Sequence, residues 1–135
     1  MSHNPQIFSQ LFDTAKNQIQ NSYSPYSKFP VAAAIRLEDG SVYAGCNIEN
    51  ASFSLTLCAE AVAIGKAIST GKKIISHALV HAQNMDFCPP CGACRQRLLE
   101  FSNEDTIVYL TSSTGEYQTH KLFDLIPSSF SLKTN

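Results

Sequence analysis

Cys58-Ala59-Glu60 and Pro90-Cys91-Gly92-Ala93-Cys94 decide how this chain is read. Between them lies room for one helix and one strand, and together they supply three thiols plus one carboxylate that a metal does not need as a ligand. A structural zinc is usually closed by four protein ligands, whereas a hydrolytic zinc keeps three and leaves one position open. The extra Glu60 therefore points to a catalytic centre. A Cys-x-x-Cys pair alone is shared by redox, structural-metal and incidental pairs. The upstream Cys-x-Glu makes the pattern specific.

Working outward, Leu57 to Thr70 places Ala61, Ile64, Ala67 and Ile68 along one side, with Thr56 as its expected cap and Gly71 beyond its end. This is a helix with Cys58 in its first turn. Ile74 to Ala82 is a buried-looking strand, Asn84 to Pro90 a loop, and Cys91 to about Phe101 a helix with Leu98 and Leu99 inward. Cys91 and Cys94 then share a first turn. Two helix N-termini meeting at one point present partial positive charge, which favours thiolate over thiol.

Toward the N-terminus, Asn4 and Pro5 start a helix that carries Ile7, Leu11, Ala15 and Ile19 to about Gln20. Ser24-Pro25-Tyr26-Ser27 breaks it. Phe29 to Leu37 and Ser41 to Ile48 form strands joined at Glu38-Asp39-Gly40, a hairpin signal. Thr106 to Thr111 and Tyr117 to Lys121 are the last strands. Their link is far shorter than the dozen or so residues that a parallel crossover needs, so they pair antiparallel. The order α-β-β-α-β-α-β-β predicts an α/β fold with a mixed sheet and helices on its faces.

The 135 residues, 44% of them hydrophobic, suffice for one domain spanning 1–135. A net charge of −1 and scattered Lys and Arg give no footprint for a phosphate backbone, so no nucleic acid is expected as partner. The N-terminus lacks a basic start and an apolar core, and no window approaches the roughly 20 apolar residues of a membrane span. The expectation is a cytoplasmic protein without membrane contact. Five cysteines in a reducing compartment would remain thiols available to a metal.

Four segments in order carry a resemblance over nearly the whole chain. They are Tyr26 to Ala34, Gly45-Cys46-Asn47-Ile48-Glu49-Asn50-Ala51-Ser52-Phe53, Pro90 to Gln96, and Leu125-Ile126-Pro127-Ser128-Ser129-Phe130. With Cys58-Ala59-Glu60 they resemble the small, homotetrameric, zinc-dependent cytidine deaminases that act on free nucleosides. The resemblance implies a three-layer α/β/α fold on a five-stranded mixed sheet, its last two strands an antiparallel hairpin. It implies Zn²⁺ on Cys58, Cys91 and Cys94, and Glu60 as the catalytic proton carrier. It further implies substrate contacts from Phe29, Asn47, Glu49, Ala59 and Phe130, the last reaching a neighbouring subunit's site in a homotetramer. The implied reaction converts cytidine and 2′-deoxycytidine to uridine and 2′-deoxyuridine with release of ammonia, in pyrimidine salvage.

The residue types suit that chemistry. Zn²⁺ lowers the pKa of coordinated water toward about 7. Glu60 would take the water proton, protonate ring N3 as oxygen adds at C4, and pass a proton to the departing amine. Asn47 and Glu49, an amide beside a carboxylate, can satisfy both donor and acceptor of a diol.

Two departures from the family pattern stand out. Ala61 occupies the place where an Arg usually follows the catalytic Glu and donates to the thiolates, which should leave the metal a weaker Lewis acid unless Arg95 and the helix N-termini compensate. Ala32 replaces the usual Gly in the first strand, a matter of packing.

Other readings remain open at this level. Cys88 extends the run to Cys88-x-x-Cys91-x-x-Cys94 and could close a four-thiolate, non-catalytic zinc module. A deaminase of another cytosine-containing nucleoside, such as a nucleoside antibiotic, is the nearer alternative. Cys46 reads as a small buried hydrophobe. His77 and His81 share one face of a strand, a spacing that fits packing better than a second metal.

Overall fold

Asn4 caps the first helix through its side-chain oxygen, which accepts the Gln6 N–H at 2.8 Å. Pro5 follows at the first helical position, where its missing donor does no harm, and α1 (Pro5–Ile19) buries Phe8, Leu11 and Ala15. A computed structural model describes residues 4–133 of the chain. The outermost residues of the expected 1–135 domain lie outside the described residues.

β1 (Val31–Leu37) and β2 (Val42–Cys46) form the expected antiparallel hairpin, with Arg36 opposite Val42. Gly40 closes the turn at φ 91°, a conformation that L side chains rarely adopt. After a short 3₁₀ turn at Phe53–Leu55 come α2 (Ala59–Ile68), β3 (Ile75–Ala82), α3 (Gly92–Glu100), β4 (Ser102–Thr111), β5 (Tyr117–Lys121) and α4 (Leu122–Leu125). The sheet order is β2-β1-β3-β4-β5. β3 and β4 are parallel; the other neighbours, including β4 and β5, are antiparallel. This is the five-stranded mixed sheet with a terminal hairpin that the sequence predicts.

Both faces of the sheet are covered. On one, Ala33, Ile35, Val80 and Val108 pack under α2, α3 and α4 through Ala63, Ala67, Leu98 and Leu122. On the other, Ala32, Ala34, Leu79 and Tyr109 meet Phe8, Leu11 and Ala15 of α1. Successive β1 residues alternate between the two clusters, as a period of two requires. A strand buried on both sides shows no polar alternation, which is why β1 and β3 read as apolar runs.

Three local expectations shift. Cys58, not Thr56, is the N-cap of α2, and Cys91 is the N-cap of α3. β4 begins at Ser102 rather than Thr106: Ser102 pairs with Ile75, and Ile107 resumes the ladder opposite His77. Between them Asn103 donates its backbone N–H to Thr106 Oγ1 and accepts that of Asp105, a polar loop that hides the strand's start. The short α4 is too brief to have a periodic signal.

At Gly45, β2 runs close against α2. A Cβ built there would lie 2.7 Å from the Ala63 nitrogen and 2.8 Å from Val62 Cβ. Gly45→Ala should therefore lower stability by about 1–3 kcal/mol through overpacking, which urea unfolding would register as a lower midpoint.

His81 lies on the α1 face, buried beside Phe12 and sharing a 2.7 Å hydrogen bond between Nδ1 and Thr111 Oγ1. Burial, and after it the charge of Lys16, holds its pKa below the usual imidazole value. Below about pH 6.5 the unfolded chain takes up a proton that the folded one resists, so this contribution is complete above that pH and is lost as pH falls. His81→Gln should accordingly show a smaller drop in urea midpoint between pH 7.5 and 5.5 than the unsubstituted protein.

Candidate active site

β2 and β3 each run antiparallel to the β1 strand between them, so they run parallel to one another. α2 and α3 follow the carboxyl ends of these two strands and pack on the same face of the sheet. Their N-termini consequently converge at one edge, where ligands of open α/β sheets generally bind. There Cys58 caps α2, Cys91 caps α3 and Cys94 stands in the first turn of α3. The three sulfurs lie within 4.8 Å of one another. Neither cap residue bonds its helix through its side chain, so both sulfurs stay available.

The site's electrostatics follow from this crowding. Hydrogen bonding from Cys94, and less from Cys91, pulls the Cys58 thiol down to about 6 against the effect of burial, with the positive charge of Arg97 helping. Cys94 is pushed up in turn, because it holds the proton that it donates to Cys58 and is itself buried. Glu60 sits at the second position of α2, only 5% exposed. Burial raises its pKa, opposed by its own backbone N–H, and the Cys58 charge raises it further.

A cavity of about 200 Å³ opens beside the sulfurs, lined among others by Val31, Asn47, Ala59, Glu60, Val80 and Cys88. Thr56 joins it to a second hollow of about 310 Å³ bounded by Tyr26, Ser27, Glu49 and Phe53. Cys88 is half-buried on the cavity wall, and its sulfur is not part of the three-sulfur cluster. Burial and the neighbouring Glu60 charge keep its thiol up. The four-thiolate closure considered from sequence is not formed.

The residues expected to contact substrate divide. Ala59 and Asn47 line the first cavity and Glu49 the second. Phe29 lines neither; it offers its carbonyl to the Asn47 amide at 2.9 Å. Phe130 is 67% exposed, its carbonyl held by Gln96 Nε2 at 3.0 Å.

Asn47 Oδ1 also accepts the Val31 N–H at 3.0 Å and the Ser22 hydroxyl, so one of its amide hydrogens remains for a ligand. Glu49 accepts the Tyr26 and Ser27 N–H groups through Oε1 and the Ser27 hydroxyl through Oε2. The Ser27 hydroxyl above all holds its carboxyl below the usual range.

Arg95 corrects an expectation. Its guanidinium donates to the carbonyls of Pro90 at 2.8 Å and Leu125 at 2.7 Å, bracing the loop before Cys91 instead of meeting the thiolates. The cation at the sulfurs is Arg97, whose Nη1 lies 3.6 Å from Cys94 Sγ. Sequence reasoning missed it, although the three-residue step from Cys94 puts both on one helix face.

Three convergent sulfurs with room for a fourth, exogenous ligand suit Zn²⁺. With a buried carboxylate in the same cavity, the fold and site define a hydrolytic zinc enzyme of the α/β class. Residues 6–111 match the family described as the cytidine and deoxycytidylate deaminase zinc-binding region. A cytidine deaminase from Sporosarcina psychrophila is 44% identical over 121 residues, covering 90% of this chain and 89% of that protein. The crystal structure of cytidine deaminase from Burkholderia pseudomallei superposes with a TM-score of 0.85 at 36% identity, over 90% of this chain and 98% of that one. A cytidine deaminase from Mycobacterium tuberculosis is 36% identical over 93% of this chain and 90% of its own length. The chain belongs to the zinc-dependent cytidine deaminase family.

The bonds of Asn47 tie β1 to the segment after β2. Asn47→Ala would strip the Phe29 carbonyl and the Val31 N–H of a partner, and we expect it to lower stability by about 2 kcal/mol. Urea unfolding checks this independently of any ligand.

Proposed function

We propose that this chain catalyses the hydrolytic deamination of cytidine and 2′-deoxycytidine to uridine and 2′-deoxyuridine, with Zn²⁺ held by Cys58, Cys91 and Cys94. The observation that carries the proposal is the buried Glu60 carboxylate sharing one small cavity with the sulfur cluster. Bound there, Zn²⁺ acts as a Lewis acid and makes water acidic enough to attack near neutral pH.

Glu60 manages the protons. Burial raises its pKa, which strengthens its hold on a proton that it must both accept and return. It accepts a proton from the attacking water and delivers it to ring N3 as the C4–O bond forms, then takes the remaining proton from the new C4 hydroxyl and gives it to the amine as the C4–N bond breaks. Water supplies the oxygen, and ammonia leaves. Val31, Val80 and the buried Ala59 offer apolar wall for a flat base. Asn47 lines the first cavity with one amide hydrogen free and Glu49 lines the second, an amide and a carboxylate that can satisfy a sugar diol.

The active form in this reading is a homotetramer with shared sites. Tyr23, Tyr26, Ile48, Phe53, Leu55 and Leu57 are exposed along one stretch beside the cavities, an apolar surface that association would cover. Phe130 is exposed and lines neither cavity of its own subunit, which leaves its ring available to a neighbour's site. Pyrimidine salvage in the cytoplasm is the setting that this reading assigns.

Loss of cytidine absorbance in the ultraviolet tests the assignment, with zinc assayed on the same samples. Glu60→Ala should retain about one zinc per chain and lose at least about 10²–10⁴-fold in turnover. An unsubstituted protein that carries zinc yet leaves both cytidine and deoxycytidine unchanged would overturn the nucleoside assignment.

A further inference from the structure

Three thiolates around a divalent ion leave a net charge of −1, and an ionised Glu60 in the same cavity makes it −2. Glu60 and Cys94 are buried and Cys58 is partly so, and water cannot fully screen the accumulated charge. The two helix N-termini offset part of it, and a nearby cation would offset more.

Arg95 is engaged with the backbone carbonyls of Pro90 and Leu125. The residue after Glu60 in α2 is Ala61, which carries no charge. Arg97 stands one turn beyond Cys94 on α3, with Nη1 3.6 Å from the Cys94 sulfur and the rest of the side chain toward solvent.

We infer that Arg97 is a positioning residue for the metal centre: it donates to the Cys94 sulfur and supplies, from α3, the cation that Ala61 cannot supply from α2. The inference rests on the zinc reading above. Its role is to hold electron density on the Cys94 sulfur and keep that ligand oriented. Outer partners of metal ligands typically affect metal affinity by about 10–100-fold. Because Arg97 is exposed on one side, the lower end of that range applies.

The test uses the zinc-loaded protein and an excess of a chelating dye. Arg97→Met should release zinc about tenfold faster than the unsubstituted protein. Arg97→Lys should stay close to it, and adding Ala61→Arg to Arg97→Met should restore slow release. In cobalt(II)-substituted protein, the sulfur-to-metal absorption should move to longer wavelength in Arg97→Met and return in the double variant, a response that general loosening of the fold would not give. Arg97→Gln keeps a hydrogen-bond donor without the charge and should follow Arg97→Met; it carries the test if the Met variant does not fold. Unchanged zinc release and an unmoved cobalt band in Arg97→Met, or a Gln variant that matches the unsubstituted protein, would overturn the role of Arg97 while leaving the zinc site intact. Absence of zinc from the unsubstituted protein itself would remove the zinc reading and this inference together.

Discussion

The parallel run of β2 and β3 is the constraint on which the rest of the structure depends. With β1 between them, each strand hands the chain to a helix on the same face, and the two helices must begin at the same edge of the sheet. Helix starts concentrate unmet N–H donors and partial positive charge. Cysteine at those two caps is therefore a physical match: each sulfur stands at a helix start without bonding its own helix and remains free to bind. Glu60, two residues into α2, is carried into the same cavity by the same helix, where burial raises its pKa.

Holding such a site open calls for rigid polar framing. Asn47 ties Phe29, Val31 and Ser22 together, and Glu49 fastens the Tyr26–Ser27 turn. Both therefore act as struts as well as cavity groups. Among the described residues no buried side-chain nitrogen or oxygen lacks a hydrogen-bond partner. The polar groups at the mouth are oriented before any ligand arrives, which reduces the ordering that binding must impose.

Much of this was legible in the sequence because chemistry and periodicity agreed there. The α1 cap at Asn4-Pro5, the turn at Gly40, the short link before β5 and the pairing of Cys58-x-Glu60 with Cys91-x-x-Cys94 each carry a local physical signal. What escaped depends on contacts between distant segments or on short-range geometry without a period. The start of β4 is hidden in Ser102 to Asp105, which resembles a turn. Phe29, expected as an aromatic wall, lines neither cavity, and its backbone carbonyl instead accepts the Asn47 amide. Of two neighbouring arginines, Arg95 was the one expected to serve the thiolates, and the backbone carbonyls of two loops claimed it instead. Arg97, three residues after Cys94 and so on the same helix face, is the one that meets the sulfur.

Cys58 and Cys91 are far apart along the chain, with all of α2 and β3 between them, yet their sulfurs lie within 4.8 Å. Any ion that grips both therefore closes a long loop, as a crosslink would. Such a clip raises the free energy of the unfolded ensemble by denying it open conformations, an effect that grows slowly with loop length. Zn²⁺ held by these three sulfurs would thus fasten two crossover units of the fold to each other, and the metal would add to the stability of the folded chain.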